Sequence, residues 1–447
     1  LPFDFTHTPI DAETFLEKLA GGFGRVVLFL QENDAQPFRA AILDSCLHHR
    51  AFDRQTESYR IDYLFDIIKA TGEPEFYTDH IRRALATEDE EYSYGQLYEL
   101  AARLALNGDE DARQIIYARF ARQAISQDTT GAEEIVSLDG LAGYLFVAAQ
   151  WQRWSLTEED HWYESWLLEK LEEQLGKEQA QQSLEQAAQH QPQLGVYLAE
   201  VRQKREQEQV RRKERKPVEA LTYDELKTRI ADPTHTVRWP VWRRYARRLD
   251  EATQLRLAQD LLTETDRVPL LKLLYLFREK AFPLTIDRML VLAQGRDEDL
   301  AEAARWALGN LSDERIRALS EQLWADETGI VTAVELLQNN FANGDYPRLA
   351  QQLSQEMPAD EFHSLGMAVR DLVEAHPSPN ASPTLLVLYE HGRCVLCRHR
   401  AVELLASLGS LPPWILAEGC YDADTETRSW VEKAAGQPRP ALGGGRI

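Results

Sequence analysis

Between Ala231 and Ala435 the chain returns to a similar polar junction roughly every 29 to 34 residues. The junctions are Asp232-Pro-Thr-His-Thr-Val-Arg-Trp, Glu264-Thr-Asp-Arg-Val-Pro-Leu, Asp297-Glu-Asp-Leu-Ala-Glu-Ala, Asp326-Glu-Thr-Gly-Ile-Val, Asp360-Glu-Phe-His-Ser and Asp422-Ala-Asp-Thr-Glu-Thr-Arg. The last gap is about two units long, with the missing junction near His391. Each junction reads as a turn that opens a helix, and each unit has room for two short helices. A unit this short cannot bury its apolar face alone, so neighbours must stack. The expected fold is therefore all-α, an α-solenoid of antiparallel helix pairs. Such a fold presents long surfaces rather than deep catalytic pockets.

Helical patterning extends through the rest of the chain, and alternating strand-like runs with hairpin turns are missing. Leu97, Leu100, Ala101 and Leu104 share a helix face that Asn107-Gly108 should close. Thr71-Gly72 is a similar stop 36 residues earlier. Residues 1–200 thus read as an N-terminal helical region of less regular helix pairs, either continuous with the solenoid or separate from it. Residues 201–217 are nearly all charged or amide and read as a helical connector without a core face, ended by Pro217. Residues 218–436 form the repeat region. Residues 437–447, with Pro438, Pro440 and Gly443-Gly-Gly445, read as a disordered tail.

Within the repeats, Asp232 precedes Val237-Arg238, and Ala303-Ala304-Arg305-Trp306-Ala307-Leu308-Gly309 is an alanine-rich helix closed by Leu-Gly. Arg400-Ala401-Val402-Glu403-Leu404-Leu405-Ala406-Ser407-Leu408-Gly409 closes in the same way, and Asp424 to Gly436 repeats the pattern. These segments resemble HEAT-like repeats, in which a turn Asp and a Val-Arg pair open the first helix. Arg305 departs from that pattern by falling inside the alanine run, and the units at Asp326 and Asp360 lack the Val-Arg pair. The resemblance implies a turn Asp that caps a helix and faces an Arg of an adjacent repeat. It specifies fold far better than function, since HEAT-like proteins include scaffolds, transport receptors, chromophore lyases and DNA glycosylases.

Charge narrows the partners. The chain has a net charge of −23. Residues 1–200 carry 36 acids and 16 bases, residues 201–250 carry 8 acids and 15 bases, and residues 251–447 carry 29 acids and 19 bases. A globally acidic chain repels nucleic acid, and a basic partner protein suits it better. No apolar run approaches the ~18 residues of a membrane span. Four Cys in 447 residues are no disulfide framework and favour a reducing, cytoplasmic setting. The chain starts at Leu1 rather than Met, which leaves room for a removed upstream piece.

Three groups of residues carry chemistry worth testing. Arg238, Trp239, Trp242, Arg243, Arg244, Tyr245, Arg247 and Arg248 form a basic, aromatic helix. It could hold phosphates while its rings stack on bases, or its rings could pack on the next repeat while its arginines meet carboxylates. Trp151, Trp154, Trp162 and Trp166 are a second aromatic group, either a binding surface or a core face. Cys394 and Cys397, with Cys420 and either His391 or His399, have the makings of a Cys3His zinc site. The same cysteines could instead pack as small hydrophobes, or form a redox dithiol. Cys46 with His48 and His49 is a weaker grouping, because adjacent histidines point to different helix faces. No Walker loop, His-Glu-x-x-His or Gly-x-Ser-x-Gly is present, and acidic clusters such as Glu88-Asp-Glu-Glu91 read as solvated ends.

These observations point to a non-enzymatic scaffold, adaptor or regulatory subunit with an acidic surface. The competing reading is a nucleic-acid-binding or base-processing protein that works through residues 238–248.

Overall fold

A computed structural model describes residues 10–87, 91–122, 129–151, 161–214, 221–235, 237–326 and 329–435. Among these, all regular structure is helical: twenty-six α-helices and two short 3-10 segments, with no strand. Successive helices pack against each other, as Glu91–Leu106 does on Glu110–Arg122, Asp287–Ala293 on Glu298–Leu308, and Glu314–Trp324 on Ile330–Leu337. Among the described residues, no helix is long and apolar enough to cross a membrane. The tail at 437–447 and the end of the connector at 215–217 lie outside the described residues.

Local chemistry explains the helix ends. Thr222 and Glu225 form a reciprocal capping box at the helix Tyr223–Ala231. Asp250 accepts the Thr253 N–H at 2.7 Å, and Asp297 accepts that of Leu300 at 3.3 Å. At the stop Asn107-Gly108, Gly108 takes φ +101°, a left-handed conformation that costs a side chain energy. The Asp109 N–H then reaches the Leu104 carbonyl at 3.1 Å.

By its internal contacts the chain divides into two compact units. The described residues of the first are 221–392 and 400–411. Here the helices Trp239–Ala246, Arg267–Phe277, Glu298–Leu308, Ile330–Leu337 and Ala359–Ala375 each pack on the next. Ala303, Ala304 and Ala307 are buried, so Glu298–Leu308 can lie close to its neighbours. Ion pairs bridge about one unit: Arg267 to Asp297 at 2.6 Å, Arg315 to Asp287 at 2.7 Å, and Arg317 to Asp345 at 2.7 Å. Asp297 thus caps one helix and meets an arginine 30 residues earlier. Lys272, which interrupts an apolar run, is fully buried. Its ammonium caps the end of Tyr223–Ala231 by donating to the carbonyls of Arg229, Ile230 and Asp232, the last at 2.6 Å.

The second unit comprises the described residues of 8–215 together with 393–399 and 412–435. The final helices of the repeat region, Pro413–Gly419 and Thr425–Ala435, therefore belong with the N-terminal residues. Residues 201–214 continue one helix, Pro192–Glu214, and Leu194, Tyr197, Leu198 and Val201 are buried along one face of it. Arg205 pairs with Glu172 at 3.0 Å and with Glu169 at 3.2 Å. The i, i+3, i+4, i+7 stripe was present in the sequence, but it straddles the point where composition turns charged.

Candidate functional site

In the basic helix Trp239–Ala246, aromatic packing and arginine pairing coexist. Trp242 is fully buried, edge-on to His235 at 5.4 Å and to Tyr245 at 5.6 Å. Tyr245 accepts a hydrogen bond from Arg229 at 2.7 Å. Arg243 and Arg247 share one carboxylate, Glu279, at 3.0 and 3.1 Å. Arg248 donates to the Arg244 carbonyl at 3.0 Å, and Arg238, Arg244, Arg247 and Arg248 are exposed. A further stack has no counterpart in the sequence reading. The Arg278 guanidinium lies between the rings of Trp239, at 4.1 Å, and Trp306, at 3.7 Å. Burial lowers the Arg278 pKa, while Glu335, Glu302 and Glu279 oppose that shift. The spacings 239, 278 and 306 are unequal, so no periodic signal marked them.

The second aromatic group is partly described. Trp151 is buried and meets Tyr163 edge-on at 6.0 Å, and Tyr163 tilts onto Trp166 at 4.9 Å. Lys170 sits over the Trp166 ring at 5.3 Å. Trp154 and the Trp162 side chain lie outside the described residues.

Of the proposed metal ligands, Cys394 and Cys397 come together, with their sulfurs within 4.8 Å. Cys420 donates to the Leu416 carbonyl at 3.4 Å. The His399 ring contacts Thr427 at 2.9 Å and Asp424 at 3.4 Å. His391 lies in the first unit, whereas Cys394, Cys397 and Cys420 lie in the second. Cys46 is buried, and burial pushes its thiol up to about 12.

A cavity of about 430 Å³ opens in the second unit among the helices Ile61–Ala70, Glu91–Leu106 and Ala132–Asp139. Asp62, Glu99, Glu133 and Glu134 line it, with Arg103 the one basic residue among the described lining residues. Arg103 pairs with Asp62 at 2.9 Å, and Lys170 approaches Glu133 at 3.6 Å. Among the described residues, no such cation pairs with Glu99 or Glu134. Burial pushes Glu99 up to about 8, helped by Glu134, Glu133 and Asp62. Burial also pushes Glu134 up to about 7; its own backbone N–H opposes the shift and Glu133 adds to it. These four acids are scattered over 73 residues, so only folding reveals them as one group.

The same unit contains a nearly dry ionic clasp. Arg398 pairs with Asp422 at 3.1 Å, each side chain 1% exposed. Arg398 also donates to the carbonyls of Gly21 at 2.7 Å and Gly22 at 3.1 Å, and lies over Phe23 at 4.0 Å. Arg25 pairs with Glu418 at 2.9 Å, and Arg428 with Asp66 at 2.8 Å. The Ala423 N–H reaches the Gly22 carbonyl at 2.9 Å. Gly24 permits this approach, since a Cβ there would sit 1.9 Å from the Glu418 carbonyl oxygen. With Arg60, which donates to the Ala20 carbonyl at 2.7 Å, the arginines cap the end of Phe15–Gly21.

No known protein family, curated protein or solved structure matches this chain.

Proposed function

We propose that this protein is a HEAT-like α-solenoid that acts as a scaffold, adaptor or regulatory subunit and binds a partner protein through basic side chains. The acidic cavity carries the reading. It is large enough for a lysine or arginine side chain, and it holds two carboxyl groups, Glu99 and Glu134, that no cation among the described residues pairs with. A bound cation would favour their ionised forms, so binding would release protons and strengthen as pH rises. The excess of acids over residues 1–200 would draw such a partner in from a distance. Helices packed on their successors, with ion pairs about one unit apart, suit the solenoid. Four cysteines outside any disulfide suit a cytoplasmic setting. The reading requires no cofactor.

The test is binding of a lysine- and arginine-rich peptide at low salt, followed by fluorescence anisotropy. Glu99→Gln/Glu134→Gln should weaken it about tenfold or more, as the loss of charge-assisted hydrogen bonds implies. Equal binding by both proteins would sink the cavity as the contact. Co-purification from the native host would name the partner.

The nucleic-acid reading keeps one supporting observation, the exposed arginines at 238, 244, 247 and 248. Arg247 already shares Glu279 with Arg243, which leaves less free positive charge than the sequence count suggests.

A further inference from the structure

Cys394 and Cys397 sit at the start of the helix Val395–Ser407. Cys394 is the residue before the first turn, and its carbonyl accepts the Arg398 N–H at 3.2 Å. The two sulfurs lie within 4.8 Å of each other, and the Cys397 thiol and the backbone N–H groups of Leu396 and Cys397 donate to the Cys394 sulfur. Cys394 is 4% exposed, whereas Cys397 is partly open. One helical turn separates their Cα atoms by roughly 5 Å, inside the range a disulfide spans. Cys46 and Cys420 have no comparable arrangement: the first is sealed in the core, and the second bonds a carbonyl of its own helix.

We infer that Cys394 and Cys397 are a reversible dithiol–disulfide pair that exchanges with low-molecular-weight disulfides of the glutathione type. The partly open Cys397 gives up its proton and attacks one sulfur of the disulfide as the thiolate. A Cys397 mixed disulfide forms and one thiolate leaves. The Cys394 thiolate then attacks the Cys397 sulfur, closing the protein disulfide and expelling the second thiolate. Two protein thiols are oxidised by two electrons, the external disulfide is reduced to two thiols, and the two protons pass to the leaving thiolates. Order of access fits these roles: the open sulfur meets the reagent, and the buried one resolves the intermediate. Arg398 follows Cys397 directly and binds Gly21, Gly22 and Asp422. Oxidation therefore acts on the turn that carries the central arginine of the clasp.

The test equilibrates the full chain with oxidised and reduced glutathione, quenches with acid and maps peptides without reduction. The expected product is a Cys394–Cys397 disulfide that excess reduced glutathione reopens, with Cys46 still a thiol. Cys394→Ser should instead accumulate glutathione on Cys397. Four free thiols after oxidised glutathione would overturn the proposal. So would glutathione held stably on Cys397 in the unaltered protein. About one equivalent of co-purified zinc that keeps both thiols unreactive until it is chelated would also overturn it. All three of these outcomes are read on the unaltered protein, so they do not depend on the variant folding.

Discussion

Two groups of arginines in this protein contrast sharply. In the first unit, residues 238–248 concentrate five arginines, yet Arg243 and Arg247 are 41% and 57% exposed and share a single carboxylate. In the second unit, Arg25, Arg398 and Arg428 are scattered through the sequence, yet their side chains are 4%, 1% and 7% exposed. Each of the three holds its own carboxylate, at most 7% exposed. Exposed pairs contribute roughly 0–1 kcal/mol, because water screens them and ordering costs entropy. Breaking a buried pair strands a desolvated charge and costs about 3–5 kcal/mol. Density along the chain is thus a poor guide to how much an arginine matters. Burial and distant partners decide it.

The largest expected effect lies in the clasp. Arg398→Ala should destabilise the second unit by about 3–5 kcal/mol in denaturant unfolding. Gly24→Ala should fall in a similar range by forcing the Glu418 carbonyl away. If either variant melts like the unaltered protein, the two arginine groups are energetically alike and the contrast fails.

An intermediate effect belongs to the acidic cavity. Unfolded glutamates titrate near 4.5, whereas Glu99 and Glu134 stay protonated up to about 8 and 7. Between those values the folded state binds more protons than the unfolded one, so their contribution makes stability fall as pH rises from about 4.5 to 8. Glu99→Gln/Glu134→Gln should flatten that slope and raise stability at pH 8 by about 1 kcal/mol, allowing for solvent screening. An unchanged pH profile would show that both carboxyls titrate normally.

The smallest effect is expected where the sequence draws most notice. Arg243, Arg244, Arg247 and Arg248 replaced together by Ala should cost about 1 kcal/mol, mostly through Glu279. Salt-dependent nucleic-acid binding that disappears with these replacements would promote the basic helix from local pairing to a ligand surface.

Much of the local structure was legible in the sequence, for a physical reason. A helix stop such as Asn107-Gly108 needs only the backbone freedom of one residue and the carbonyls just before it. The apolar stripe through Val201 was equally legible once charge was set aside. The cavity and the clasp were not, because no short-range rule relates Glu99 to Glu134, or Arg398 to Gly21 and Asp422. Cys394 and Cys397 fall between these cases. Their spacing put both sulfurs within reach of one helical turn, but only the structure showed which sulfur is buried and which backbone N–H groups it meets. The sequence by itself determined an all-helical chain and where many of its helices begin and end, since caps, stops and apolar spacing act over a few residues. The tertiary structure alone decided which charges are dry and which residues from opposite ends of the chain share a core. Desolvation depends on every atom packed around a group, and that neighbourhood exists only after folding.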